Sequence, residues 1–303
     1  MKPRAMLPNL LTLANAACGL LAVSKGIDAL AWHDADPAIF YAKMEAACFL
    51  IFLGMLFDAL DGWVARLTSS FSPFGAQLDS LADCLTFGVA PALLAKVLIE
   101  HEGTSVGALA SPRLHFAAAA FFSLMAILRL ARFNLEGERD PAREPGGPDP
   151  RDGHSDFRGL PSPAAAGAVA SWLWFYLVLS RPELEVVEGT PTPLGHVMGW
   201  ARGVDWGPLL SWVPATLTVA LPLLGLLMVS RVRYVHLASW LQDDRSPLFT
   251  LVTFVFAALA LYLAPVPFLF LGFNTYVLYG LVQWLIAAVR ARRSDPARES
   301  ARP

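Results

Sequence analysis

Four aspartates, Asp58, Asp61, Asp79 and Asp83, lie in one 26-residue stretch with long apolar runs on either side. A carboxylate near the middle of a membrane helix costs about 2.5–3.5 kcal/mol on insertion scales, so four together demand compensation. Only 16% of the 303 residues are charged and 55% are hydrophobic, whereas soluble domains carry about 25% charged residues. Mean hydropathy is +0.50. These values exclude an ordinary soluble enzyme. They predict an all-α polytopic membrane bundle, because long apolar runs in lipid must satisfy their own backbone.

A spanning helix needs about 20 apolar residues. Eight spans are expected, at 7–26, 43–66, 74–100, 114–133, 160–180, 209–230, 248–264 and 267–290. The first apolar run has a basic flank, Lys2 and Arg4. It also contains Pro8, Asn9, Thr12 and Asn15 and lacks a small-residue cleavage site, so it reads as a retained helix rather than a leader. Cys18, Cys48 and Cys84 fall in expected spans without metal-site spacing and read as small buried hydrophobes.

Basic residues orient the bundle. With the N-terminus in the cytosol, 17 of the 23 Lys and Arg residues fall on cytosolic segments. The bias predicts a cytoplasmic-membrane protein with both termini cytosolic. It also puts the aspartates at the cytosolic ends of the second and third spans. The expected organisation is a membrane core over 1–234, a C-terminal helical hairpin over 235–290 and a basic cytosolic tail over 291–303. Within the core, 136–158 is rich in Pro, Gly and charge and reads as a flexible cytosolic loop. Residues 181–207 read as an external loop.

Asp58 and Asp61 are spaced i, i+3, and Asp79 and Asp83 i, i+4, so each pair shares one helix face. Between them, Ser72-Pro73 reads as a helix start, with Ser as N-cap and Pro at the first helical position. The chain would therefore descend, turn and climb back, bringing the two pairs face to face. Four converging carboxylates repel one another, and hard divalent cations, Mg²⁺ or Mn²⁺, relieve this with oxygen ligands alone. Two such ions about 3.5–4 Å apart can clamp a phosphate. Gly62 and Gly75 would allow close approach, and Arg66 would meet a phosphate oxygen. From the residues alone, an ion or proton pathway in a cation-coupled transporter remains open. The glycines could equally be helix-packing contacts, and Arg66 a positive-inside anchor.

Asp58, Asp61, Gly62, Ala65, Arg66, Gly75, Asp79 and Asp83 together spell D-x-x-D-G-x-x-A-R, eight residues, G-x-x-x-D-x-x-x-D. This resembles the signature of the CDP-alcohol phosphotransferase family. The resemblance implies a core of six helices, usually dimeric, that displaces CMP from a CDP-linked substrate with a second, hydroxyl-bearing one. PNLLTLA at 8–14, QLDSLADCLTFGVAPALL at 77–94, LRLARFN at 128–134, GLPSPAAA at 159–166 and MVSRVRY at 228–234 are similar to the serine-using bacterial and archaeal members.

The resemblance implies that Asp58, Asp61, Asp79 and Asp83 hold two divalent metals, with Asp83 also the general base. It implies that Gly62, Ala65 and Arg66, with Gly75, lie against the CDP-diacylglycerol. Ser72, Asn9 and Thr12 are further candidates for the nucleotide. The substrates would be CDP-diacylglycerol and L-serine, with no nucleic-acid partner. Arg129, Arg132, Arg231 and Arg233, at expected cytosolic helix ends, are candidates for the serine carboxylate, because guanidinium binds carboxylate bidentately. Each could also be a positive-inside anchor. Asn134 and Ser162 are weaker polar candidates. Glycerol 3-phosphate or an inositol phosphate remains an alternative acceptor. A simple ion site has no need of the Gly62, Arg66 and Gly75 spacing, which argues against a transporter.

Overall fold

Ser72 caps a helix as its sequence requires: its Oγ accepts from the Gly75 N–H at 3.0 Å, with Pro73 at the first helical position. The computed structural model describes residues 6–32, 35–70, 72–103, 111–138, 159–180, 206–230, 232, 234 and 247–294. The described residues are helical and contain no strands. The helices are α1 (Met6–Leu30), α2 (Pro37–Thr68), α3 (Pro73–Asp83), α4 (Ala90–Glu102), α5 (Pro112–Glu138), α6 (Ser162–Ser180), α7 (Gly207–Leu210), α8 (Val213–Val229), α9 (Pro247–Leu263) and α10 (Pro265–Ser294). A π-helical turn, Cys84–Val89, joins α3 to α4 so that Pro73–Glu102 forms one span.

Seven helices among the described residues are long and apolar enough to cross a membrane. They coincide with the expected spans except at 248–264. There α9 has only 17 residues, about 26 Å at 1.5 Å per residue, short of a hydrocarbon core of about 30 Å. Its C-terminal end is set by Pro265, which has no N–H to continue the ladder and whose ring crowds the carbonyl four residues back. Ala264 alone separates α9 from α10. It donates to Ala260 O at 2.8 Å and accepts from Phe268 N at 3.1 Å, so the prolines interrupt the rod without a loop. Loop residues 139–158 and 181–205, and the tail 295–303, lie outside the described residues.

Helix α1 lies along α2, its most extensive neighbour, and also packs on α3 and α4. Helix α6 is the central and most enclosed span, touching α2, α4, α8 and α10, while α5 pairs with α8. Phe40, Met44, Ile51, Phe87, Leu94, Leu98, Phe122 and Leu173 are completely buried between them. Leu10, Leu20, Phe49, Leu56 and Leu226 face outward, as lipid-facing residues of a bundle must. Cys18 and Cys48 are buried and Cys84 is half-buried, all as free thiols.

The turn between α2 and α3 is built from hydroxyls. Ser69 adopts the left-handed conformation (φ 47°, ψ 39°) and its N–H reaches Arg66 O at 3.2 Å, while the Ser70 N–H reaches Ala65 O at 3.1 Å. These bonds satisfy carbonyls that the end of α2 would leave orphaned. A second junction ties the start of α6 to the end of α8: Gly159 N donates to Val232 O at 2.8 Å and Leu160 N to Leu227 O at 3.0 Å. Gly159 has φ +96°, and a Cβ there would strike the Met228 carbonyl oxygen. Gly159→Ala should therefore lower stability by about 1–3 kcal/mol, seen as a reduced unfolding midpoint in detergent. An unchanged midpoint would show that the junction tolerates a side chain.

Candidate active site

The end of α2, the start of α3 and the first turns of α1 meet at one place. Asp58 and Asp61 come from α2, and Asp79 and Asp83 from α3. One oxygen from each of Asp58, Asp61 and Asp79 lies within 4.8 Å of the others. The Asp83 carboxyl is in hydrogen-bond contact with that of Asp58, and it acts electrostatically on all three neighbours. Asp61 is the most enclosed, at 5% exposure. The expected face-to-face pairing of the two helices is thus present.

Helix α1 supplies the polar partners. Thr12 Oγ1 donates to Asp61 Oδ2 at 2.7 Å and also lies 3.1 Å from Pro8 O. Asn15 Nδ2 donates to Asp83 Oδ1 at 3.2 Å. Asn9 packs at the start of α3, where a Cβ on Gly75 would sit 3.0 Å from its Oδ1. The three polar residues recur every three positions, so they descend one face of α1. Thr12, read from sequence as a nucleotide contact, has its hydroxyl on Asp61. Asn15 was not singled out by sequence, although its spacing from Asn9 and Thr12 carried the signal.

The π-helical turn begins one residue after Asp83. Such turns break the regular hydrogen-bond ladder and cluster at functional sites. Here Ser123 Oγ of α5 donates to Gly88 O of the turn at 3.0 Å, while Thr86 of the turn donates its Oγ1 to Asn15 O of α1 at 3.0 Å. Thr86 fits only because Gly19 and Gly54 flank it. A Cβ on Gly54 would lie 2.6 Å from Thr86 Cγ2. Asn15 therefore holds Asp83 through its side chain and is itself held through its carbonyl.

The basic residues divide. Arg66 is exposed at the end of α2, its Nη1 folded back over Gly62, with Ala65 half-buried beside it. Arg129 reaches inward: Nη1 donates to the fully buried Ser162 Oγ at 2.7 Å, and Asp83 and Tyr276 both act on its charge. Its Nε is buried without a hydrogen-bond partner. Arg132 is half-buried, while Arg231 and Arg233 lie outside the described residues. Asn134 pairs with Ser80 at 3.0 Å, which ties α5 to α3.

Residues 5–204 match the sequence description of the CDP-alcohol phosphatidyltransferase family. The chain belongs to that family. It is 30% identical over 291 residues to a CDP-diacylglycerol–serine O-phosphatidyltransferase of Helicobacter pylori, covering 95% of this chain and 94% of the relative. It is 37% identical over 184 residues to an archaetidylserine synthase of Methanothermobacter thermautotrophicus, covering 59% and 60%. It is 34% identical over 135 residues to a CDP-diacylglycerol–serine O-phosphatidyltransferase of Bacillus subtilis, covering 45% and 64%.

Three carboxylates offering oxygens at this separation, with no sulfur or imidazole among them, fit a hard divalent cation. With such an ion bound, the Thr12 hydroxyl would aim the Asp61 carboxylate at it. Thr12→Val keeps the shape and removes the donor, and should weaken apparent Mn²⁺ affinity by roughly tenfold or more. A Mn²⁺ titration read by electron paramagnetic resonance checks this, and unchanged binding would remove Thr12 from the site.

Proposed function

We propose that the protein transfers the phosphatidyl group of CDP-diacylglycerol to the hydroxyl of L-serine, releasing CMP. The observation that carries the acceptor is the likeness to the Helicobacter pylori enzyme across 95% of this chain. The aspartate cluster beside an inward-pointing Arg129 supports it chemically.

In this reading Asp58, Asp61, Asp79 and Asp83 hold two divalent ions, Mg²⁺ or Mn²⁺. When bound, these would neutralise charge on the diphosphate and on the departing CMP. Gly62 leaves room for the diphosphate, and Arg66, exposed at the helix end, meets a phosphate oxygen. Asp83 takes the proton of the serine hydroxyl. The hydroxyl oxygen bonds to the lipid-side phosphorus, and the bond from that phosphorus to the bridging oxygen breaks with its electron pair leaving on CMP. Asn15 donates to one oxygen of Asp83 and so orients its carboxyl. Arg129 and Arg132 are the described candidates for the serine carboxylate.

We place the aspartates at the cytosolic face, where 17 of 23 basic residues are expected and soluble serine is available. Both termini would then be cytosolic and the membrane the cytoplasmic one. A homodimer is proposed from the family resemblance.

The purified protein, given CDP-diacylglycerol and Mn²⁺ with L-serine, glycerol 3-phosphate or inositol phosphate in turn, should release CMP with serine. Release with only a phosphorylated acceptor would overturn the serine assignment and leave the transfer chemistry standing. Substrate flux in proteoliposomes without CMP would instead favour a transporter. Asp83→Asn should cut turnover by at least about a hundredfold while CDP-diacylglycerol still binds. Near-normal turnover would exclude Asp83 as the base.

A further inference from the structure

Helix α10 and Tyr234 lie beyond residues 5–204, the part that matches the family, yet Tyr276 of α10 interacts with Arg129 and Tyr234 lies against Tyr276. Helix α10 is docked on α6 at three successive levels. The Phe273 ring lies directly on Gly167, Phe270 stacks on Phe175 with centroids 4.5 Å apart, and Asn274 Nδ2 lies 3.4 Å from Ser171 Oγ. The same α6 carries Ser162, the partner of Arg129. This docking brings Tyr276 close enough for its phenol and the Arg129 charge to act on each other.

Tyr234 completes the group. The backbone pairing of Gly159 with Val232 carries it back beside the start of α6. Its ring presses on Gly280 of α10 and lies 5.5 Å from the ring of Tyr276. Tyr234 is 6% exposed, and its hydroxyl has no hydrogen-bond partner. Burial, and secondly Tyr276, push its phenol up to about 12, so at neutral pH it is a donor. Two enclosed donors, Arg129 Nε and Tyr234 Oη, thus lack acceptors among the described residues, and both residues interact with Tyr276. Buried donors are seldom left so unless something outside the chain completes them.

We propose that Tyr234 and Tyr276, set in place by α10, form with Arg129 the wall that binds the anionic group of the acceptor. On the proposed function, on which this rests, that group is the serine carboxylate; a phosphate on another acceptor would present the same chemistry. The tyrosines are specificity-determining residues and take no part in the proton transfer. An amino alcohol lacking the anion would leave Arg129 and Tyr234 without acceptors, which is why the wall would reject it.

The test compares Tyr234→Phe and Tyr276→Phe with the wild-type full-length enzyme in detergent. Both variants keep the ring that packs on Gly280 or Tyr234, and the unfolding midpoint verifies that each folds. L-Serine and L-serinamide, which lacks the carboxylate, are compared as acceptors. The expected result for Tyr234→Phe is a roughly tenfold rise in KM for L-serine, typical of losing one hydrogen bond to a charged group. The KM for CDP-diacylglycerol should stay within twofold, and preference for serine over serinamide should fall by a similar factor. Tyr276→Phe should move the same two quantities in the same direction. Unchanged serine KM and unchanged preference in both folded variants would overturn the proposal, as would an equal rise in KM for both substrates. If the wild-type enzyme uses only a phosphorylated acceptor, the serine reading fails. The wall is then judged by the same KM comparison on that acceptor.

Discussion

Four carboxylates held together inside an apolar bundle repel one another and lose their hydration. The rest of this structure follows from meeting that cost. The aspartates sit where α2 ends and α3 begins, so both helix ends and the hydroxyl-built turn between them are close by. Two of the four also receive a donor from α1. Thr12 reaches Asp61 and Asn15 reaches Asp83, and the close packing of α1 along α2 is what brings those donors within range. Hydrogen bonds of this charge-assisted kind are about twice as strong as neutral ones, yet they offset only part of four charges. The oxygens of Asp58, Asp61 and Asp79 are close enough together to hold a divalent cation, which would complete the compensation.

The π-helical turn after Asp83 lets one span serve two purposes. A regular helix from Pro73 to Glu102 would carry its hydrogen bonds straight past the site. The π turn instead releases backbone carbonyls, and Ser123 takes up that of Gly88. Thr86, seated between Gly19 and Gly54, locks the turn onto the carbonyl of the very residue that aims Asp83. The carboxylate is thereby fixed through two helices that are themselves pinned together, which favours a narrow range of Asp83 positions over a mobile one.

On the opposite side of Asp83 the chemistry changes sign. Arg129 is drawn inward by Ser162 instead of extending to the headgroups as a basic anchor would. Tyr276 and Tyr234 stand beside it because α10 docks on α6 and because Gly159 closes against Val232. The proposed acceptor wall thus draws on α5, α6, α10 and Tyr234, whereas the carboxylate cluster and its donors come from α1, α2 and α3.

Composition and periodicity determined the membrane class and the position of seven spans, because a bilayer imposes one length and one polarity on every crossing. The eighth, α9, has the 17 residues expected of it, too few to count among the long apolar helices, and ends at Pro265. The aspartates, Gly62, Arg66 and Gly75 were legible because their spacing is local: residues three or four apart on one helix share a face whatever surrounds them. The capping role of Ser72 was legible for the same reason. Ser162 was legible only as a polar candidate without a partner, and Asn15, Thr86, Tyr234 and Tyr276 not at all as site residues, since each acts on a residue dozens of positions away and its own neighbours say nothing of that partner. Arg129 and Arg132 look alike in sequence, three residues apart; only the fold, by bringing the start of α6 within reach of Arg129, turned it toward Ser162. The sequence by itself determined which carboxylates would converge, and the tertiary structure decided what would hold them, because the donors lie on helices that meet only after the bundle has closed.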